Sequence, residues 1–247
     1  MRFISPACWL QPIMQLTLAA RGATWNRCQS KCPEGGTAAL AINRRRSSRR
    51  NGDNRCVLNG ETMSRLVLLM GVSLDGMVAR PGRFGAGGWG TPPEDPALTE
   101  RKLGWLREAG RHLMGRVTYE EMAAFWPFSD EAYAAPMNNT PKVVFSRTLT
   151  RADWAETTIA GDDLAEEVAA LKREPGGDLI AWGGAAFAQT LSRLRLVDEY
   201  RLVVQPVALG DGLPLFAGLT KPFNLDLIEA QPYGDGSVLH IYRPAVG

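Results

Sequence analysis

The most constraining stretch of this chain is residues 178–194, DLIAWGGAAFAQTLSRL. A short apolar run, Leu179-Ile180-Ala181-Trp182, ends at adjacent glycines, Gly183 and Gly184. Phe187, Leu191 and Leu194 follow at the spacing of one helix face. The pattern predicts a buried strand, a tight turn and a helix start. Two glycines let the backbone take positive φ and let a ligand approach without meeting a Cβ. The free N–H groups of a helix's first turn, and its dipole, favour an anion there. On this stretch alone two readings stand, a phosphate cradle and a bare strand-to-helix turn.

The 247 residues fall into two unlike parts at Met63. Residues 1–62 carry ten basic and three acidic side chains, a net of +7, and all four cysteines (Cys8, Cys28, Cys32, Cys56). Residues 63–247 carry 18 basic and 23 acidic side chains, a net of −5, and no cysteine, which suits a cytoplasmic domain. The first part shows no sustained periodicity and contains Arg44-Arg45-Arg46-Ser47-Ser48-Arg49-Arg50. Such composition buries too little apolar surface to offset ordering entropy. Residues 1–62 are therefore expected to be a disordered basic extension, read as upstream sequence ahead of a start at Met63. A nucleic-acid contact or a transit peptide is the competing reading of that segment. No apolar run reaches the ~18 residues of a membrane span, so no membrane partner is expected.

From Met63 on, apolar runs alternate with helical patterns. Residues 65–73, RLVLLMGVS, read as a strand buried on both faces. Further strands are expected at 112–114, 141–145, 157–160, 179–182 and 198–207, with helices at 97–110, 119–125, 162–173 and 185–194. Two alternating segments, 224–230 and 237–243, are joined through Pro232-Tyr233-Gly234-Asp235-Gly236 and predict an antiparallel C-terminal hairpin. The fold class is thus α/β, three-layered, with a mostly parallel sheet, helices on both faces and an antiparallel edge. Gly85-Ala86-Gly87-Gly88-Trp89-Gly90 is a formal G-x-G-x-x-G. It is rejected as a dinucleotide fingerprint, because it neither follows a strand nor opens a helix. It is read instead as a flap, 83–89, beside a site.

Two more turns resemble the opening one. Gly115-Arg116-Val117-Thr118-Tyr119 follows a strand and puts a cation and a hydroxyl at a helix start. Ser146-Arg147-Thr148 follows another strand. In a parallel sheet the C-terminal strand ends lie on one edge, so three such turns can line one crevice for several phosphates.

Five motifs in order resemble the dihydrofolate reductase-like superfamily, and more closely the reductase domain at the C-terminus of the bifunctional riboflavin-biosynthesis deaminase–reductase. They are Ser73-Leu74-Asp75-Gly76, the Met114–Glu120 segment, Lys142-Val143-Val144-Phe145-Ser146, Trp182-Gly183-Gly184 and Pro206-x3-Gly210-Asp211-Gly212-x-Pro214-Leu215-Phe216. The resemblance covers 63–247 and implies NADPH as hydride donor. It implies that Gly115, Arg116 and Thr118 contact the pyrophosphate, and that Ser146 and Arg147 contact the adenosine 2′-phosphate. Gly183, Gly184 and Ala185 would lie against the pyrophosphate and nicotinamide. Asp75 would be the catalytic carboxylate, orienting a ring or donating a proton if burial raised its pKa. The family pattern has a Glu before the glycine pair; here Trp182 offers an indole that can stack on a substrate ring. The deaminase signature is lacking, as the only histidines are His112 and His240. The resemblance implies a reductase of a pterin- or pyrimidine-like heterocycle, 5-amino-6-(5-phosphoribosylamino)uracil being the family's substrate type. A homodimer and the absence of metal and nucleic-acid partners complete the expectation. The alternative is a catalytically silent nucleotide-binding protein of the same fold.

Overall fold

The computed structural model describes residues 57–58, 61–79, 89–161 and 163–245. The expectation of a disordered extension over 1–62 falls almost wholly outside these residues, and the flap expected at 83–89 does so except for Trp89, which is buried.

The described residues open with a two-residue antiparallel ladder, β1 (Val57–Leu58) on β2 (Glu61–Thr62). Then come β3 (Leu66–Ser73), β4 (Met77–Ala79), α1 (Pro96–Arg107), β5 (Arg111–Gly115), α2 (Arg116–Ala123), α3 (Ala134–Asn139), β6 (Lys142–Phe145) and β7 (Thr157–Ala160). The remainder is α4 (Leu164–Arg173), β8 (Leu179–Trp182), α5 (Ala185–Arg193), β9 (Glu199–Gln205), β10 (Leu213–Pro214), β11 (Leu225–Pro232) and β12 (Val238–Pro244). Helix α2 begins at Arg116, three residues before the expected start, because Gly115 already serves as its extended N-cap. Between α2 and β6 lie a 3₁₀ turn, Trp126–Phe128, and α3.

Eight strands form one sheet in the order β11-β12-β9-β3-β8-β5-β6-β7. The six from β9 to β7 run parallel, and β12 and β11 close the other side antiparallel. Alternation along β3 divides the interior. Leu66, Leu68, Met70 and Val72 join Val168 and Leu171 of α4 and Ala188 and Leu191 of α5 on one face. Val67 and Leu69 join Leu103 and Leu106 of α1, Tyr119 and Met122 of α2 and Met137 of α3 on the other. The result is the three-layer α/β architecture expected from the alternating pattern, and it agrees with the dihydrofolate reductase-like fold that the motif resemblance implies. A small ladder that the sequence did not disclose, β4 with β10, pins the segment before β11 to the turn after β3. Among the described residues no helix is long and apolar enough to cross a membrane.

Candidate active site

Strands β8, β5 and β6 are neighbours, and their registers bring their C-terminal ends level. Gly115 pairs with Phe145, and Leu113 pairs with Ala181, two residues before Gly183. The three turns expected to share a ligand are therefore side by side, at the roughly 4.8 Å spacing of adjacent strands. They also interlock. Thr118 Oγ1 donates to the Gly183 carbonyl at 2.7 Å. Phe187 of α5 stacks on Phe145 of β6 with ring centroids 5.5 Å apart. A Cβ at Gly115 would sit 3.4 Å from Phe187 Cβ, so glycine there lets α5 lie close to the β5 turn.

Gly184 has φ +92°, a region L side chains avoid, and a Cβ on it would lie 2.8 Å from Thr118 Oγ1. Its carbonyl begins α5 by accepting from Ala188 N–H at 3.0 Å. Helices α1 and α4 are capped by Asp95 and Asp163, whose carboxylates accept first-turn N–H groups. Helices α2 and α5 start from Gly115 and Gly184 with no side-chain cap. Two helix N-termini with first-turn amides left open by side chains thus meet at one place on the sheet edge. Ala185, in the first turn of α5, is buried.

The two arginines differ. Arg116 is ion-paired with Glu120, one turn along α2, at 2.8 Å, and both are largely exposed. Arg147 is exposed and makes no hydrogen bond or ion pair with the described residues. Ser146 Oγ accepts from Thr148 N–H at 3.1 Å and Leu149 N–H at 2.9 Å, shaping the turn that presents Arg147 while keeping its own hydroxyl proton to donate.

Two of the expected site residues lie in surroundings that differ from those the sequence suggests. Asp75 is exposed, and hydrogen bonds from the Ser73 hydroxyl first, then from Gly210 and Leu209 N–H, hold its pKa down at about 2. A carboxylate stabilised in this way has no proton to give near neutrality. Trp182 is 2% exposed and lies in the α1–α2 side of the core. It packs edge-on against His112 at 5.6 Å between centroids. Its indole Nε1 has no partner among the described residues, nor has His112 Nδ1. Burial holds the His112 pKa down at about 3, so the ring is neutral.

Other polar elements near the sheet went unrecognised in the sequence. Glu94, just before α1, pairs with the buried Lys102 and accepts from the Tyr133 hydroxyl at 2.7 Å and the Thr99 hydroxyl at 2.9 Å. Burial and the Glu94 charge push the Tyr133 hydroxyl pKa up. Gln189 of α5 donates to the Pro214 carbonyl at 2.8 Å, tying that helix to β10. The Glu94–Tyr133 and Gln189–Pro214 contacts link distant segments and leave no local spacing to read.

Residues 65–239 match the family model described as the RibD C-terminal domain. The uncharacterized protein YyaP of Bacillus subtilis (strain 168) is 30% identical over 190 residues, covering 75% of this chain and 97% of that one. YwjB of the same organism is 28% identical over 180 residues, covering 72% and 97%. Among solved structures, a candidate riboflavin biosynthesis protein from Shewanella sp. PV-4 superimposes with a TM-score of 0.61 at 20% identity, covering 74% of this chain and 99% of that one. The diaminohydroxyphosphoribosylaminopyrimidine deaminase/5-amino-6-(5-phosphoribosylamino)uracil reductase of Thermotoga maritima gives 0.54 at 16% identity, covering 74% and 57%. With the fold, the order of motifs and 175 residues matched to one family model, the chain belongs to the RibD C-terminal domain family.

Proposed function

We propose that this protein is an NADPH-dependent reductase of a pterin- or pyrimidine-like heterocycle. The observation that carries the reading is the junction of three strand ends, where two helix N-termini without side-chain caps lie beside Arg147, a cation with no ion pair among the described residues. That donor set fits a dinucleotide. Open helix N-termini accept a pyrophosphate, and an exposed guanidinium accepts a further phosphate in a bidentate manner. Gly115, Thr118, Gly183, Gly184 and Ala185 form the cradle, with Ser146 and Arg147 at the adenosine end. Arg116, already paired with Glu120, contributes less than Arg147. NADPH, when bound, supplies the hydride. The chain's own work is to hold the dinucleotide, orient the acceptor and exclude water. The family and the reductase named in the Thermotoga maritima structure support a pyrimidine-like acceptor.

The same reading includes a cytoplasmic homodimer with no metal, nucleic-acid or membrane partner. A second reading, a nucleotide binder without turnover, is favoured by one observation. Neither Asp75, held ionised, nor Trp182, buried, offers a proton donor to the crevice.

Binding of NADPH and NADH, followed by fluorescence and thermal shift, tests the first part. NADPH is expected to bind more tightly, and Arg147→Ala is expected to weaken NADPH by about tenfold or more while leaving NADH nearly unchanged. Equal affinity for both would remove Arg147 from the site. Oxidation of NADPH in the presence of dihydrofolate or 5-amino-6-(5-phosphoribosylamino)uracil separates reductase from silent binder.

A further inference from the structure

Asp75 occupies the turn between β3 and β4, and its hydrogen-bond partners among the described residues are all neutral. Ser73 Oγ donates to Oδ1 at 2.5 Å. Gly210 N–H donates to Oδ2 at 2.7 Å, and Leu209 N–H lies 3.1 Å from both oxygens. Gly210 has φ +71°, and two successive backbone N–H groups converging on one anion around such a residue form a nest. Three further bonds hold the same segment. Leu74 N–H donates to the Val207 carbonyl at 2.8 Å, and Leu215 N–H donates to the Gly76 carbonyl at 3.0 Å. On the other side Gln189 of α5 holds the Pro214 carbonyl. Residues 207–215 therefore span from the end of β3 to the helix whose first turn carries Gly184 and Ala185.

We propose that Asp75 is a positioning residue whose carboxylate fills the Leu209–Gly210 nest and latches residues 207–215 onto the end of β3, fixing the wall of the crevice beside α5. Both carboxylate oxygens are engaged by amides, so Asp75 shapes the site without passing a proton. Its depressed pKa agrees with that geometry. The latch belongs to the chain without any ligand, so it is tested without one and independently of the NADPH reading.

The test is amide hydrogen exchange at Leu209 and Gly210 in the full chain. Both amides are expected to be protected in the wild type. In Asp75→Ala they are expected to exchange about tenfold or more faster, the loss of charge-assisted bonds. Sodium formate, a small carboxylate able to enter the vacated nest, is expected to restore protection; sodium chloride at equal ionic strength is not. Asp75→Asn keeps the side-chain volume with one acceptor oxygen and is expected to exchange at an intermediate rate; it stands in if Asp75→Ala does not fold. Unchanged exchange in either folded variant overturns the proposal, as does formate that protects no better than chloride. With an NADPH-oxidising assay in hand, Asp75→Asn is expected to raise KM and keep the shape of the kcat/KM pH profile. Disappearance of an ionisation from that profile would make Asp75 a catalytic acid instead.

Discussion

The Thr118 hydroxyl and the Gly183 carbonyl, 2.7 Å apart, join two helix starts that lie 65 residues apart in the chain. The same hydroxyl is the atom that a side chain on Gly184 would strike. One oxygen thus both secures the turn and forbids a larger residue in it.

Replacing Thr118 by Val keeps the shape and removes the donor, leaving a buried carbonyl without that bond. The expected loss is about 1–3 kcal/mol in urea denaturation. Gly184→Ala adds left-handed strain of about 1–2 kcal/mol and the collision. In a Thr118→Ala background the collision vanishes and only the strain remains. The double variant is therefore expected to be more stable than the two single losses add up to. Strict additivity would show that the 2.8 Å approach is relieved by backbone movement.

Trp182 supports the glycine turn from within the core. Because its Nε1 has no partner among the described residues, Trp182→Phe forfeits packing and no hydrogen bond. The expected cost is about 1–2 kcal/mol, with NADPH affinity unchanged. Trp182→Glu, which writes in the family residue, buries a carboxylate beside neutral His112 and is expected to cost about 3–5 kcal/mol. Denaturation of both variants checks the pair. A Trp182→Phe protein of native stability that loses NADPH affinity would return the indole to the ligand.

Lys142, at the start of β6, is fully buried. Its ammonium donates to the carbonyls of Asn138, Thr140 and Ala155 at 2.8–3.0 Å and lies 4.6 Å from the Trp154 ring centre. Burial lowers its pKa to about 8, with the Glu156 charge opposing. The unfolded chain then holds the proton up to about pH 10.5 while the native chain sheds it near 8. Between those values the unfolded state binds more protons, so this group makes stability rise with pH. Denaturation midpoints at pH 7, 9 and 10 are expected to show that rise in the wild type relative to Lys142→Met. A parallel pH dependence in both proteins would contradict it.

Much of the architecture was legible because strand, glycine and helix follow one another in single short stretches. The C-terminal hairpin was equally plain from its alternation and turn. What the sequence could not supply is adjacency. Nothing in residues 179–182 says that β8 inserts between β3 and β5, yet that insertion is what brings Gly183 beside Gly115. The burial of Trp182 is illegible for a related reason. A strand buried on both faces has no polar alternation to say which way its last side chain turns. The surroundings of Asp75 are only half legible: Ser73 is a neighbour in sequence, but the amide partners, Leu209 and Gly210, lie over 130 residues away, so the charge state of the carboxylate cannot be read from local sequence alone.

The placement of β3 has a consequence for how the protein comes into being. It is the first strand of the large sheet to be synthesised, and an eight-residue apolar one. Its partners on both sides come late: Leu66 pairs with Leu179 of β8, and Val67 with Glu199 of β9. Strands β5, β6 and β7 leave the ribosome in between and have no completed centre on which to dock. Such long-range parallel pairing slows folding and leaves hydrophobic edges open to other chains in the interval. A nascent chain halted before residue 199 is expected to need a chaperone to stay soluble, whereas the finished chain carries the same strand sealed between two neighbours.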